Sequence, residues 1–152
     1  MEYKSCEREM KLNQTRYIEL LIKRYNLEKS RLYNTPMETN LKIVRADNCE
    51  RNIKYRNLIG ALLYISSATR PDTSLCVNYL SRFQECYSET HYKYALRILK
   101  YLYVTKDLEL VYRNNESENI VDCYVDADWA GDSIDRKSTT AYVIRVCGNV
   151  VY

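Results

Sequence analysis

Near residue 107 the spacing of apolar residues changes from helical to strand-like, so the chain must build two kinds of layer rather than one. Upstream, Leu58, Ile59, Leu62, Leu63 and Ile65 mark a helix over 54–69. Leu75, Cys76, Tyr79, Leu80 and Phe83 mark the inner face of the next helix, and Ala95, Ile98, Leu99 and Leu102 that of another running to about residue 103. Thr69-Arg70-Pro71-Asp72 separates the first two, because proline suits a first helical turn and an acidic residue there favours the helix dipole. Ser88 is a suitable N-cap for the last. Three consecutive helices with short joints predict a compact helical subdomain. Gly60 costs its helix about 1 kcal/mol relative to alanine unless close packing compensates, which predicts a largely buried helix.

Before these helices, residues 10–13 read as the end of a strand, and Tyr17, Ile18, Leu21, Ile22 and Tyr25 as a short amphipathic helix to about Asn26. From Lys29 to Asn52 the period fades and Pro36 forbids a continuous helix, so this is a long connector. Downstream of the change, Leu108–Tyr112, Ile120–Ala127 and Thr140–Cys147 are rich in valine, isoleucine and tyrosine and predict strands of a sheet. Residues 114–118 are expected to turn between the first two strands, and residues 132–137 to follow the second.

Scattered cysteines and a single histidine offer no CxxC pair and no metal ligand set, so all six thiols are expected to be free. No stretch approaches the roughly 20 apolar residues of a membrane helix, and the start lacks the apolar core of a signal peptide, so a soluble, intracellular chain without membrane partners is expected. The net charge of +3 permits nucleic-acid binding without demonstrating it, since clustering matters more than the total. Sixteen tyrosines provide rings that suit a core edge or stack on bases, and compositional drift accounts for them equally well.

Two patterns carry chemistry. In Tyr124-Val125-Asp126-Ala127-Asp128-Trp129-Ala130-Gly131-Asp132, alternate residues of a strand share a face, so Asp126 and Asp128 point the same way. Paired carboxylates suit Mg²⁺, which prefers oxygen ligands and phosphate oxygens, although short acidic clusters at strand ends are also ordinary solvated turns. Lys93, Arg97 and Lys100 form a basic stripe at helical spacing, flanked by Tyr94 and Tyr101, that suits a phosphate backbone or simply a solvated face. His91, near a helix start, is expected at the surface without a catalytic role.

The order of segments resembles the copia-type retrotransposon polyprotein just downstream of its polymerase active site. The matching residues are Gln14–Tyr25 (QTRYIELLIKRY), Asn34–Glu38 (NTPME), Tyr55–Tyr64 (YRNLIGALLY), Ala68–Asp72 (ATRPD), Leu80–Phe83 (LSRF), Lys100–Asp107, Leu110–Tyr112, Tyr124–Asp132 and Asp135–Val143 (DRKSTTAYV). The resemblance implies an α+β chain. Residues 1–107 would be the C-terminal part of a reverse transcriptase, with a helical thumb or connection that braces a template–primer duplex through Lys93, Arg97 and Lys100. Residues 108–152 would be the first antiparallel strands of an RNase H-like fold, truncated. Asp126 matches the first carboxylate with which RNase H holds two metal ions, normally Mg²⁺, to cut the RNA of an RNA–DNA hybrid; Asp128 is implied to be structural.

The resemblance further implies that the other metal-binding carboxylates lie beyond residue 152 and the polymerase aspartate pair before residue 1. The chain is then expected to be inactive alone and to work with the rest of the polyprotein, in cytoplasm, virus-like particle or nucleus. A nucleic-acid-binding remnant without catalysis and an inert decayed copy are the alternatives. Val104 and Ala141 stand where the family usually has glycine, and a left-handed helix cap at Val104 would cost about 1 kcal/mol or more.

Overall fold

A computed structural model of the chain describes residues 1–6, 8–39, 41–46, 49, 53–114, 120–127 and 138–151, with the backbone alone at Cys6 and Ile53. The architecture is α+β, with strands β1 (Glu2–Cys6) and β2 (Glu9–Asn13), helix α1 (Thr15–Arg24), helices α2 (Ile53–Ala68), α3 (Ser74–Ser81) and α4 (Glu89–Val104), and strands β3 (Leu110–Arg113), β4 (Val121–Ala127), β5 (Thr140–Val146) and β6 (Asn149–Val150). Two compact units result, one of Met1–Glu2 with Leu12–Leu110, the other of Tyr3–Lys11 with Val111–Tyr152.

The helical unit is built as the apolar period dictates. Ile18, Leu21 and Ile22 of α1, Tyr55, Leu58, Ile59, Leu62 and Ile65 of α2, Cys76, Val77 and Leu80 of α3, and Ala95, Ile98, Leu99 and Leu102 of α4 are buried together with Phe83. Each fully buried leucine or isoleucine contributes about 1.5–3 kcal/mol of transfer free energy. Two expectations fail here. Leu75 is 63% exposed and Val77 is buried instead, beside Cys76 and Leu80 as expected: Pro71–Thr73 forms a 3-10 turn and α3 begins only at Ser74, so Leu75 lies on the solvent side of its first turn. Gly60 is exposed, and a Cβ there would meet nothing within 4 Å, so no close packing explains that glycine.

Val104 closes α4 in helical conformation, with Thr105 as its C-cap at φ −107°, so the strained left-handed cap expected at Val104 does not arise. Among the described residues other than glycine, positive φ occurs at Asn26 and Cys147.

The strands divide into two three-stranded sheets, ordered β1-β2-β3 and β4-β5-β6. The segment predicted as Leu108–Tyr112 thus pairs with β2 rather than with β4, and Asn114 N–H donates to the Arg8 carbonyl at 3.0 Å. Local alternation identifies a strand but not its neighbour; the turn expected at 114–118 lies, apart from Asn114, outside the described residues. β6 went unread because a turn at Cys147-Gly148, with φ of 47° and 76°, reverses the chain inside what reads as one strand end.

Candidate functional site

β4 and β5 pair antiparallel over seven residues, from Val121↔Val146 to Ala127↔Thr140, and this register places Asp126 opposite Ala141. Asp122, Tyr124 and Asp126 therefore share one face of β4, while Val121, Cys123 and Val125 share the other. On the first face Arg145 occupies the upstream groups. Its Nη2 donates to Tyr124 Oη at 2.5 Å and to Asp122 Oδ2 at 3.3 Å, and its guanidinium carbon lies 4.8 Å from the centre of the Tyr124 ring. Asp126, exposed and one residue from the strand's end, has no side-chain hydrogen bond or ion pair with a described residue. Asp128, its expected neighbour on that face, and the turn at 132–137 lie outside the described residues.

A divalent ion such as Mg²⁺ needs several oxygen ligands converging on one point. The described residues contain no group of three or more His, Cys, Asp or Glu arranged to hold a metal. Asp126 offers one carboxylate, and the other described acidic residue on its face of β4, Asp122, is already paired with Arg145. These residues do not fit Mg²⁺ by themselves, and no catalytic step can be derived from them.

The predicted basic stripe on α4 is engaged unevenly. Lys93 is exposed. Arg97 reaches the connector: its Nη2 donates to Thr35 Oγ1 at 3.0 Å, its Nε to the Thr35 carbonyl at 3.4 Å, and its Nη1 pairs with Glu38. The Tyr33 ring lies beneath three cations, with Arg97 at 4.6 Å, Lys100 at 5.7 Å and Arg31 at 5.8 Å from its centre. Such cation–π contacts are worth roughly 0.5–1 kcal/mol each at exposed sites. The fold brings Arg97 and Lys100 together on Tyr33 and leaves Lys93 open. Sequence reasoning missed Tyr33, Thr35 and Glu38 because nothing local ties a connector residue to a helix some 60 positions later.

Tyr101, expected to flank the stripe, belongs to a different cluster. Arg70 is buried, and its guanidinium donates to both carboxylate oxygens of Asp72 at 2.9 and 2.7 Å, to the Thr105 carbonyl at 2.9 Å and to Thr105 Oγ1 at 2.7 Å. Tyr101 Oη donates to Asp72 Oδ2 at 2.9 Å. Burial alone would raise the Asp72 pKa, but the hydrogen bonds from Arg70 and Tyr101 and the guanidinium charge outweigh it and hold the carboxyl below its usual range. The Ala68–Asp72 motif therefore serves as a clasp between the end of α2 and the end of α4. Thr69 beside it donates to Gln14 Oε1 at 2.7 Å, joining two of the motif segments across 55 positions.

His91 is not at the surface. It is 1% exposed, lies 4.4 Å from Phe83 between ring centres, and its Nδ1 accepts from the Ser88 backbone N–H at 3.1 Å, closing a capping box at the start of α4. Burial pushes its pKa down, and the Val44 backbone opposes this in part. Nor are all the thiols free. Cys49 and Cys86 form a disulfide, whereas Cys76, Cys123 and Cys147 are free. Scattered spacing could not reveal a bridge across 37 positions that only the fold of the connector makes.

No family model matches the chain, and no solved structure matches it. Curated relatives do. The retrovirus-related Pol polyprotein from transposon TNT 1-94 of Nicotiana tabacum is 32% identical over 95% of this chain and 11% of its own length. The corresponding polyprotein from transposon RE1 of Arabidopsis thaliana is 34% identical over 95% of this chain and 10% of its own length. A protein named secreted RxLR effector protein 161, from Plasmopara viticola, is 36% identical over 66% of this chain and 70% of its own length. The chain spans about a tenth of the length of the Pol polyproteins it matches. Those two similarities run through nearly all of this sequence, and the chain belongs to the Pol polyproteins of copia-type retrotransposons.

Proposed function

We propose that this chain is the part of a retrotransposon polyprotein in which a reverse transcriptase ends and an RNase H begins. Its residues 1–107 brace a template–primer or RNA–DNA duplex, and Asp126 supplies one of the carboxylates of an RNase H centre that the rest of the polyprotein completes with Mg²⁺. One observation supports the reading: Asp126 lies one residue before the end of the seven-residue β4–β5 pairing with its carboxylate unengaged by any described residue, whereas Asp122 on the same face is paired with Arg145. On this reading the chain alone neither polymerises nor cleaves, and works inside the cell with the remaining polyprotein.

The test uses the full-length parent. Asp126→Asn should abolish cleavage of the RNA strand of a hybrid while leaving primer extension and hybrid binding in place. Unchanged cleavage overturns the assignment.

A second reading, a nucleic-acid-binding remnant without catalysis, is favoured by Lys93, which projects from α4 into solvent while Arg97 and Lys100 sit on Tyr33. Titration of the chain with labelled duplex at low and high salt decides it, since phosphate contacts release counterions and make binding steeply salt-dependent. Absence of binding at low salt favours an inert copy.

A further inference from the structure

The connector between α1 and α2 contains no helix or strand among its described residues, yet it is held against the α3–α4 joint at several points. Ile43 is 6% exposed, and its backbone N–H donates to Tyr79 Oη at 3.0 Å. Three positions on, the Ala46 carbonyl oxygen lies 3.3 Å from Cys86 Sγ, and Cys86 is bonded to Cys49. Cys86 itself precedes the Ser88–His91 capping box by two residues, so the bridge anchors the connector beside the start of α4.

We propose that the Cys49–Cys86 pair is a thiol–disulfide strap whose redox state sets how firmly the connector is held on the α3–α4 joint. The two sulfurs are unequally placed in a way that suits exchange. Cys49 is exposed, whereas Cys86 is half-buried. A small disulfide such as oxidised glutathione would be met first by the Cys49 thiolate, which forms a mixed disulfide and expels one glutathione thiolate. The Cys86 thiolate then attacks the Cys49 sulfur and expels the second. Two protein thiols are thereby oxidised by two electrons and one glutathione disulfide is reduced to two thiols, the protons given up by the protein thiols being taken by the two expelled glutathione thiolates. In the reverse direction Cys86 regains a thiol whose S–H lies within reach of the Ala46 carbonyl, so the reduced connector keeps the Ile43–Tyr79 contact and one weak substitute for the lost bond. A reducing compartment would hold the strap open and an oxidising one would close it.

The full chain tests this directly. After equilibration across a series of reduced-to-oxidised glutathione ratios, the rate of tryptic cleavage at Lys42 and Arg45, both exposed in the connector, is measured alongside peptide mapping without reductant. A 49–86 cross-linked peptide should appear with increasing oxidation, the connector should be cut several-fold more slowly in step with it, and the thermal midpoint should rise by roughly 5–10 °C. Cys49→Ser should cut at the reduced rate under every condition while keeping its helical circular dichroism. A cleavage rate indifferent to the glutathione ratio, or a map in which Cys49 and Cys86 stay as thiols or pair elsewhere, overturns the proposal.

Discussion

The Arg97 guanidinium lies 4.6 Å from the centre of the Tyr33 ring, so this cation of the basic stripe packs on an aromatic side chain of the connector. Its two donors to Thr35 and its pairing with Glu38 complete that engagement, and its side chain is only 13% exposed. Helical spacing places Lys93, Arg97 and Lys100 on one face but is silent about what covers that face.

This division yields a contrast within one helix. Arg97→Ala should destabilise the helical unit by about 1–2 kcal/mol, because hydrogen bonds from a charged donor and a cation–π contact are lost together. Lys93→Ala should leave the urea midpoint unchanged and reduce the salt slope of duplex binding by about 1. Equal loss of stability in the two variants would show that Arg97 is not tied to the connector.

His91 makes the start of α4 sensitive to acid. Its Nδ1 must be unprotonated to accept from Ser88 N–H, and burial holds its folded pKa below 6.5. A group whose folded pKa is depressed leaves the unfolded state binding more protons, so its contribution is complete above pH 6.5 and is lost as pH falls from there through the folded value. Chemical denaturation between pH 7.5 and 5 should show stability falling with acidity, and His91→Gln should flatten that slope. An unchanged slope in the variant would assign the effect elsewhere.

Asp72 acts in a lower window. Its carboxyl is held below its usual pKa by Arg70 and Tyr101, so the stability it contributes is present above about pH 4 and disappears as pH drops through the folded value. Asp72→Asn should cost about 1–3 kcal/mol at pH 7, moderated by the partial exposure of Asp72, because the buried Arg70 loses its counter-charge. The penalty should shrink towards pH 2. A constant penalty across that range would mean that the clasp does not depend on charge.

How much of this was legible in the sequence follows from the range of each interaction. The buried residues of α4 were all readable except His91, because an apolar face repeats within one helix. The Asp126 position on a strand was readable too, since alternation is local, but the pairing of Asp122 on the same face depends on Arg145 arriving from β5. The Cys49–Cys86 bridge, the Arg97–Tyr33 contact and the placement of β3 beside β2 all join residues far apart in sequence, and no period encodes such pairings. Leu75 failed for a different reason: a 3-10 turn delays the start of α3 to Ser74, which leaves Leu75 in solvent while Cys76, Leu80 and Phe83 keep the face their spacing indicates.

Gly60 is a site where the sequence departs from the best local choice without a packing reason. It sits within α2 with open space where a Cβ would be, so Gly60→Ala should raise stability by about 0.5–1 kcal/mol through the lower entropy of the unfolded chain. Thermal denaturation reads the gain. A loss instead would mean that something covers this face of α2 in solution.

The β5–β6 turn offers a gain by the same logic applied to backbone conformation. Cys147 and Gly148 both have positive φ, the requirement of a type I′ hairpin turn, and Val146↔Asn149 closes it. Glycine tolerates that geometry freely, but a cysteine has no side-chain hydrogen bond to offset the crowding of its Cβ, whereas asparagine does and enters the left-handed region readily. Cys147→Asn should therefore stabilise the sheet by roughly 0.5–1 kcal/mol, read as slower amide exchange at Arg145 and Val150. Asn149 already donates through Nδ2 to the Cys147 carbonyl at 3.1 Å, and that contact uses only backbone at position 147, so it survives the substitution. Faster exchange in the variant would show that the thiol itself, rather than the turn geometry, holds position 147 in place.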